Sequence, residues 1–201
     1  MARLLFTALL ALACQTVFGH YQLTYPPSRG FDESREVIGP CGGFDSVSSN
    51  RTDFPLKNGF LEINSEHPKY TYKVNIAYGN KPTAADFSAD TSVVAQGQVA
   101  YPSQSCLQVD LSSVKNATDG TLATLQIIYM AGDGDLYQCT DVTLKNEPSN
   151  FNTSACINAD GSSPTKSGST GSQPSSTNAA STIQAGGFMI MAAVVLSLVI
   201  A

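Results

Sequence analysis

The stretch YTYKVNIAY, residues 70–78, alternates large apolar side chains with polar or small ones. Tyr70, Tyr72, Val74, Ile76 and Tyr78 interleave with Thr71, Lys73, Asn75 and Ala77. Successive side chains of a strand point to opposite faces, so this period of two predicts a strand with one face buried. CLQVDL puts Leu107, Val109 and Leu111 on one side, and TLATLQIIYM and LYQCTDVTL are rich in residues that fit a pleated surface. Turn residues separate these runs: Gly79-Asn80-Lys81-Pro82, Asp119-Gly120 and Gly132-Asp133-Gly134. There is no long 3.6-residue pattern and no internal repeat. The expected fold is all-β, an immunoglobulin-like antiparallel β-sandwich with long loops and two disulfides. Residues 29–59 read as one large loop, tied down by Cys41.

Both ends of the chain carry address signals. Arg3 followed by the apolar run 4–13, with Val17 and Gly19 at the −3 and −1 positions, reads as a secretory signal peptide over residues 1–19. The run is too short to span a bilayer. Cleavage after Gly19 makes His20 the first mature residue. At the other end, residues 188–201 are apolar apart from Ser197. A polar spacer and the small residues Asn178-Ala179-Ala180 precede them, the pattern of a GPI-anchor signal. Attachment is expected at Asn178, with Ser176 the near alternative, and 179–201 would be removed. The localisation expected is the outer leaflet of the plasma membrane, facing outward. Residues 158–178, rich in Ser, Thr and Gly, read as a stalk, because so little apolar surface cannot offset the entropy of ordering it. Asn50, Asn116 and Asn152 each open an Asn-X-Ser/Thr glycosylation sequon.

The folded domain is then expected over residues 20–157. The expected mature chain, 20–178, holds 10 Lys+Arg against 16 Asp+Glu, a net charge of −6. That argues against nucleic acid and anionic lipid surfaces as partners. Of five cysteines, Cys14 leaves with the signal. Cys41, Cys106, Cys139 and Cys156 remain, an even number that predicts two disulfides outside the cell in one of three connectivities. No cysteine pair has zinc-ligand spacing.

The chain has only two histidines, His20 and His67. A terminal His20 carries an α-amine beside its imidazole, and the two can chelate one metal ion. The ring of His67 would supply a third nitrogen. Three nitrogens in a tetragonal arrangement suit Cu(II), and both donor types shed their protons readily near neutral pH.

An N-terminal histidine after the signal, a sandwich fold and a second loop histidine resemble the histidine brace of the lytic polysaccharide monooxygenases. HYQLTYPPSRGF, GPCGGF, FPL at residues 54–56, LQVDL and GDGDLYQCTDV more specifically resemble the fungal copper acquisition factor family, LPMO-like copper proteins that are typically GPI-anchored. The resemblance covers nearly all of residues 20–144. It implies one Cu(2+) ion held by His20, His67 and a carboxylate, without polysaccharide cleavage. The carboxylate is expected to be Asp133, at the Gly-Asp-Gly position that the motif shares. Asp135 is expected to cap or solvate the turn, and Asp110 and Asp141 to accept hydrogen bonds within strands. Tyr21 and Gln138 are candidates to support the ligands. The resemblance also implies the disulfide Cys41–Cys139, leaving Cys106–Cys156 to hold the segment after the core. The implied partners are the copper ion, the membrane through its anchor, and a copper transporter or a cell-wall component. A monomer is expected. A carboxylate ligand fills a position that dioxygen would use, and the absence of Trp removes one means of docking on crystalline polysaccharide. Two alternatives stand beside this reading: a copper-dependent oxidase or monooxygenase acting on a glycan, and a metal-free structural wall glycoprotein.

Overall fold

The computed structural model describes residues 19–87 and 93–164. The signal residues 1–18, the stalk from residue 165 and the Asn178 anchor site lie outside the described residues. Eight strands are described: β1 (Tyr21–Tyr25), β2 (Thr52–Pro55), β3 (Gly59–Ser65), β4 (Tyr70–Tyr78), β5 (Val93–Val99), β6 (Ser103–Val109), β7 (Leu122–Met130) and β8 (Asp135–Lys145). They form a three-stranded sheet in the order β1-β3-β6 and a five-stranded sheet in the order β2-β8-β7-β4-β5. The two sheets make a sandwich. Every described pairing is antiparallel except β2 with β8, which is parallel, with Phe54 opposite Leu144. The stretch expected to be one long loop therefore contributes an edge strand. Phe54 and Leu144 are both fully buried, so pairing β2 there puts its apolar residue into the core.

Inward residues of the two sheets make that core. Leu61, Ile63, Leu107 and Val109 come from one sheet, and Val74, Leu125, Ile127, Val142 and Leu144 from the other. Tyr129 of β7 lies between Tyr21 and Tyr70, stacked on each with ring centroids 4.7 and 4.6 Å apart.

Burial does not stop at the inner faces. Asn75 and Ala77, polar or small positions of the alternating β4 pattern, are also buried. The loop 26–51 crosses the outer face of the five-stranded sheet and covers them together with Phe87, whose carbonyl accepts from Asn75 Nδ2 at 3.3 Å. The Gln126 side chain donates to Pro40 O at 2.9 Å and accepts from Asn75 Nδ2 at 2.8 Å. Arg29 donates its backbone N–H to Cys139 O and forks its guanidinium onto Asp141, both contacts at 2.8 Å. The Cys41–Cys139 disulfide fastens the same loop. At Gly42, φ is +62° and a Cβ would meet Tyr137 O at 2.6 Å, so this close approach requires glycine.

A second strap, residues 146–164, covers the outer face of the three-stranded sheet. Phe151 packs edge-on against Phe60 and Tyr25. The Cys106–Cys156 disulfide holds it, and its bonding to the sheet continues to Ala159, whose N–H donates to Gln104 O. Beneath this strap lies Glu62, 3% exposed, accepting Ile157 N–H through Oε2 while Oε1 has no partner. Burial pushes its carboxyl up to about 7, against a smaller lowering by the Ile157 hydrogen bond. A raised carboxyl pKa means that the folded chain holds a proton the unfolded chain has released. The penalty is absent below pH 4.5 and complete above about 7. Glu36 has a carboxyl raised to about 7 by the same cause and adds in the same direction. Metal-free protein should therefore melt higher at pH 5 than at pH 8. Glu62→Gln should shrink that difference; a melting temperature equally pH-dependent in the variant would show that Glu62 carries none of it.

Candidate metal centre

The loop from β3 to β4 carries Glu66 and His67, and the β7–β8 turn carries Asp133 between Gly132 and Gly134. Both turn glycines have positive φ, 105° and 136°. Pairing Met130 with Asp135 leaves 131–134 as a tight connection, and Asp133 stands at its tip. The Ser65 hydroxyl fixes the backbone at His67. It accepts the His67 N–H at 3.2 Å, lies 3.1 Å from His67 O and sits 2.7 Å from the Tyr129 hydroxyl. The His67 ring lies over the Tyr129 ring at 6.4 Å. The tyrosine stack of the core is thereby the seat of this half-buried histidine.

His67 Nε2 is 3.0 Å from Asp133 Oδ2. Both atoms also face one donor, the N–H of Gly19, at 3.1 and 3.3 Å. A single N–H cannot fully satisfy two lone pairs that also face each other. The remaining requirement is met by the tautomer of His67 that carries its hydrogen on Nε2 and donates to Asp133, or by a cation. The side chains of His67 and Asp133 are 20% and 25% exposed, so the pair is open to solvent at one side.

The structure brings together His67, Asp133 and the backbone just ahead of His20. It does not gather the imidazole of His20 with them: among the described residues no three His, Cys, Asp or Glu side chains close on a common centre. With Gly19 attached, the nitrogen of His20 is an amide, and its N–H points 3.3 Å from Glu66 Oε2. Gly19 lies so close to the ring that a Cβ on it would sit 2.3 Å from His67 Cδ2. The residue ahead of His20 fills the ground beside His67. The residues present fit a metal as a donor set of one imidazole and one carboxylate, completed only where His20 has a free amine.

Asp135 opens β8, is exposed, and acts on the Tyr137 side chain. Asp110 lies one residue beyond β6, where Oδ1 accepts the Ser112 N–H in a turn, rather than inside a strand. Asp141 is an internal acceptor within β8. Gln138 is buried and joins three elements: Oε1 accepts the Leu23 N–H at 3.0 Å, and Nε2 donates to Tyr21 O and Glu36 Oε1, both at 2.6 Å. It anchors the strand that follows His20. Tyr21 donates its hydroxyl to Ile127 O and stacks on Tyr129. Sequence reasoning missed Glu66, Ser65 and Tyr129. Glu66 had one signal, its adjacency to His67; the other two read as ordinary strand residues. Asn50, Asn116 and Asn152 are all exposed, leaving room for a glycan at each. A cavity of about 210 Å³ adjoins the centre, bounded by Gly19, His20, Glu33, Val37, Asp133 and Leu136.

The BIM1-like copper acquisition factor domain matches residues 18–161. Copper acquisition factor BIM1 of Cryptococcus neoformans var. neoformans is 35% identical over 155 residues, covering 72% of this chain and 68% of that protein. Its counterpart in var. grubii is 37% identical over 142 residues, covering 67% and 64%. The lytic polysaccharide monooxygenase-like protein X325 of Yarrowia lipolytica is 26% identical over 155 residues, covering 76% and 59%. The chain thus spans about two thirds of the length of the BIM1 proteins. A match running from the residue before Gly19 well into the second strap takes in both sheets, both disulfides and the His67–Asp133 pair, and the chain belongs to the BIM1-like copper acquisition factor family.

Proposed function

We propose that the chain, cleaved after Gly19, binds one Cu(II) ion through the amine and ring of His20, the ring of His67 and the carboxylate of Asp133. It serves copper acquisition at the outer cell surface, held there by a GPI anchor near Asn178, and does not cleave polysaccharide. Family membership supports the copper role. The observation that carries the ligand set is the 3.0 Å approach of His67 Nε2 to Asp133 Oδ2 beside the backbone that cleavage would turn into an amine. Glu66 and Gln138 are the chain's own means of orienting that terminus, one from the loop and one from β8. Copper there supplies a redox-active cation. The carboxylate favours Cu(II) over Cu(I), because it adds negative charge to the metal.

Protein with a verified His20 terminus should bind Cu(II) far more tightly than protein extended by one glycine. His67→Ala should leave only the two-nitrogen chelate and markedly lower the affinity. Asp133→Asn should keep the nitrogens but change the Cu(II) electron paramagnetic resonance spectrum and raise the reduction potential. Asp135→Asn should do neither. Equal binding by the extended and authentic termini would end the brace reading; a response to Asp135→Asn alone would move the carboxylate. Product analysis on a glycan panel with ascorbate tests the monooxygenase alternative, which the name of the Yarrowia relative keeps in view.

A further inference from the structure

Between the edges β5 and β6 the two sheets part and leave an open cleft of about 420 Å³. Tyr72, Gln98 and Tyr101 line it from the β4–β5 side, and Asn158, Asp160 and Ser162 from the strap. None of the described lining residues is Lys or Arg. The one carboxylate, on Asp160, is already engaged, accepting the Ser162 N–H at 2.9 Å and the Ser162 hydroxyl at 2.7 Å. Gly97 faces Tyr72 across the β4–β5 ladder, where a Cβ would meet the Tyr72 hydroxyl at 2.9 Å. The glycine lets that ring lie across the strand. Tyr101, at the rim, acts on the Ser105 hydroxyl, and Ser105 in turn lies against Tyr70. Ser105 Oγ and the Tyr70 hydroxyl are buried and have no hydrogen-bond partner of good geometry.

We propose that this cleft binds an uncharged sugar ring of a glycan. Tyr101 and the partly buried Tyr72 supply aromatic surface of the kind that packs on the C–H face of a sugar, and Tyr101 also carries a hydroxyl. Gln98 is exposed and supplies an amide that both donates and accepts. An anion finds no cation here, and a purely apolar ligand would strand the hydroxyls. The volume is within the range of small-ligand pockets and suits one or two sugar rings. The cleft shares no residue with the His67–Asp133 pair, so this inference stands or falls apart from the copper reading. A polysaccharide outside the molecule and an N-glycan borne by the protein itself present the same chemistry.

The test is calorimetry and saturation-transfer NMR on the secreted, processed protein, with its N-glycans trimmed and intact. The probes are neutral tetramers of β-1,3-linked glucose, of N-acetylglucosamine and of mannose. Saturable binding to at least one is expected, weakened about tenfold by Tyr101→Ala, the loss expected for one aromatic contact. Gln98→Ala, an exposed change that leaves packing alone, should weaken it too. Asp133→Asn should leave it unchanged. Binding of mannose that appears only after trimming would identify the protein's own glycan as the natural occupant, and binding indifferent to trimming an external one. Absence of saturable binding to all three tetramers, or binding lost with Asp133→Asn but kept in both cleft variants, would overturn the proposal.

Discussion

Replacing Asp141 with alanine should lower the unfolding free energy by about 3–5 kcal/mol, because it leaves the Arg29 guanidinium buried without its charge partner. The two side chains are 2% and 0% exposed, and the guanidinium grips both carboxylate oxygens at 2.8 Å. Asp141 also accepts from the Thr124 hydroxyl at 2.6 Å and the Ser48 N–H at 2.7 Å. Burial by itself would raise its carboxyl. The bonds from Arg29, Thr124 and Ser48 outweigh burial and hold it below the ordinary range. Its stabilisation is therefore complete above the unfolded carboxyl pKa and is lost as pH falls through the folded one. Asp141→Asn should cost less than alanine, since the amide keeps one acceptor for Arg29. Chemical denaturation checks this, and a cost for alanine under about 1 kcal/mol would show that water replaces the carboxylate.

The second large effect is expected at Cys41–Cys139. Both cysteines are 1% exposed and lie 98 residues apart in sequence, so the bond closes a long loop. Replacing both with serine should cost about 2–5 kcal/mol, toward the upper end because loop-closure entropy grows with length. The loss should be local before it is global. Loop 26–51 carries Arg29 and Pro40, whose bonds seal the outer face of the five-stranded sheet, and Glu36, which accepts from Gln138 on the inner side of β8. Amide exchange should accelerate in that loop and at Gln126 and Cys139 beneath it. Removing Cys106–Cys156, which spans 50 residues, should free the second strap instead. Uniform acceleration across both sheets in the Cys41–Cys139 variant would show that the loop is not a separately fastened layer.

Much of the sandwich was legible in local pattern. The runs that became β4 and β6 announce themselves by alternation, since inward positions face a common core, and those that became β7 and β8 by their β-forming residues. β1, β2, β3 and β5 do not. β3 is buried at nearly every position, because the strap covers its second face, and Gly97 dilutes the pattern of β5. Covered outer faces also explain why Asn75, on the polar side of the alternating β4 pattern, is buried, as are Gln126 and Thr124. The alternation records side-chain chemistry, and a polar residue is tolerated inside once a loop supplies its partner.

By itself the sequence determined an all-β chain with cysteines enough for two disulfides, two histidines, and an acidic turn in GDGDLYQC. Only the tertiary structure decided which cysteines meet, that β2 runs parallel to β8, and that Arg29 is neutralised by Asp141 112 residues away. It also set Asp133, and not Asp135, against His67. Asp133 stands in the turn between β7 and β8 while Asp135 already belongs to β8, so where the turn ends and the strand begins sets them apart, and composition does not reveal it. The selection is made by the register of β7 on β8 and by the tyrosine stack beneath His67, both of them contacts between residues far apart in the chain.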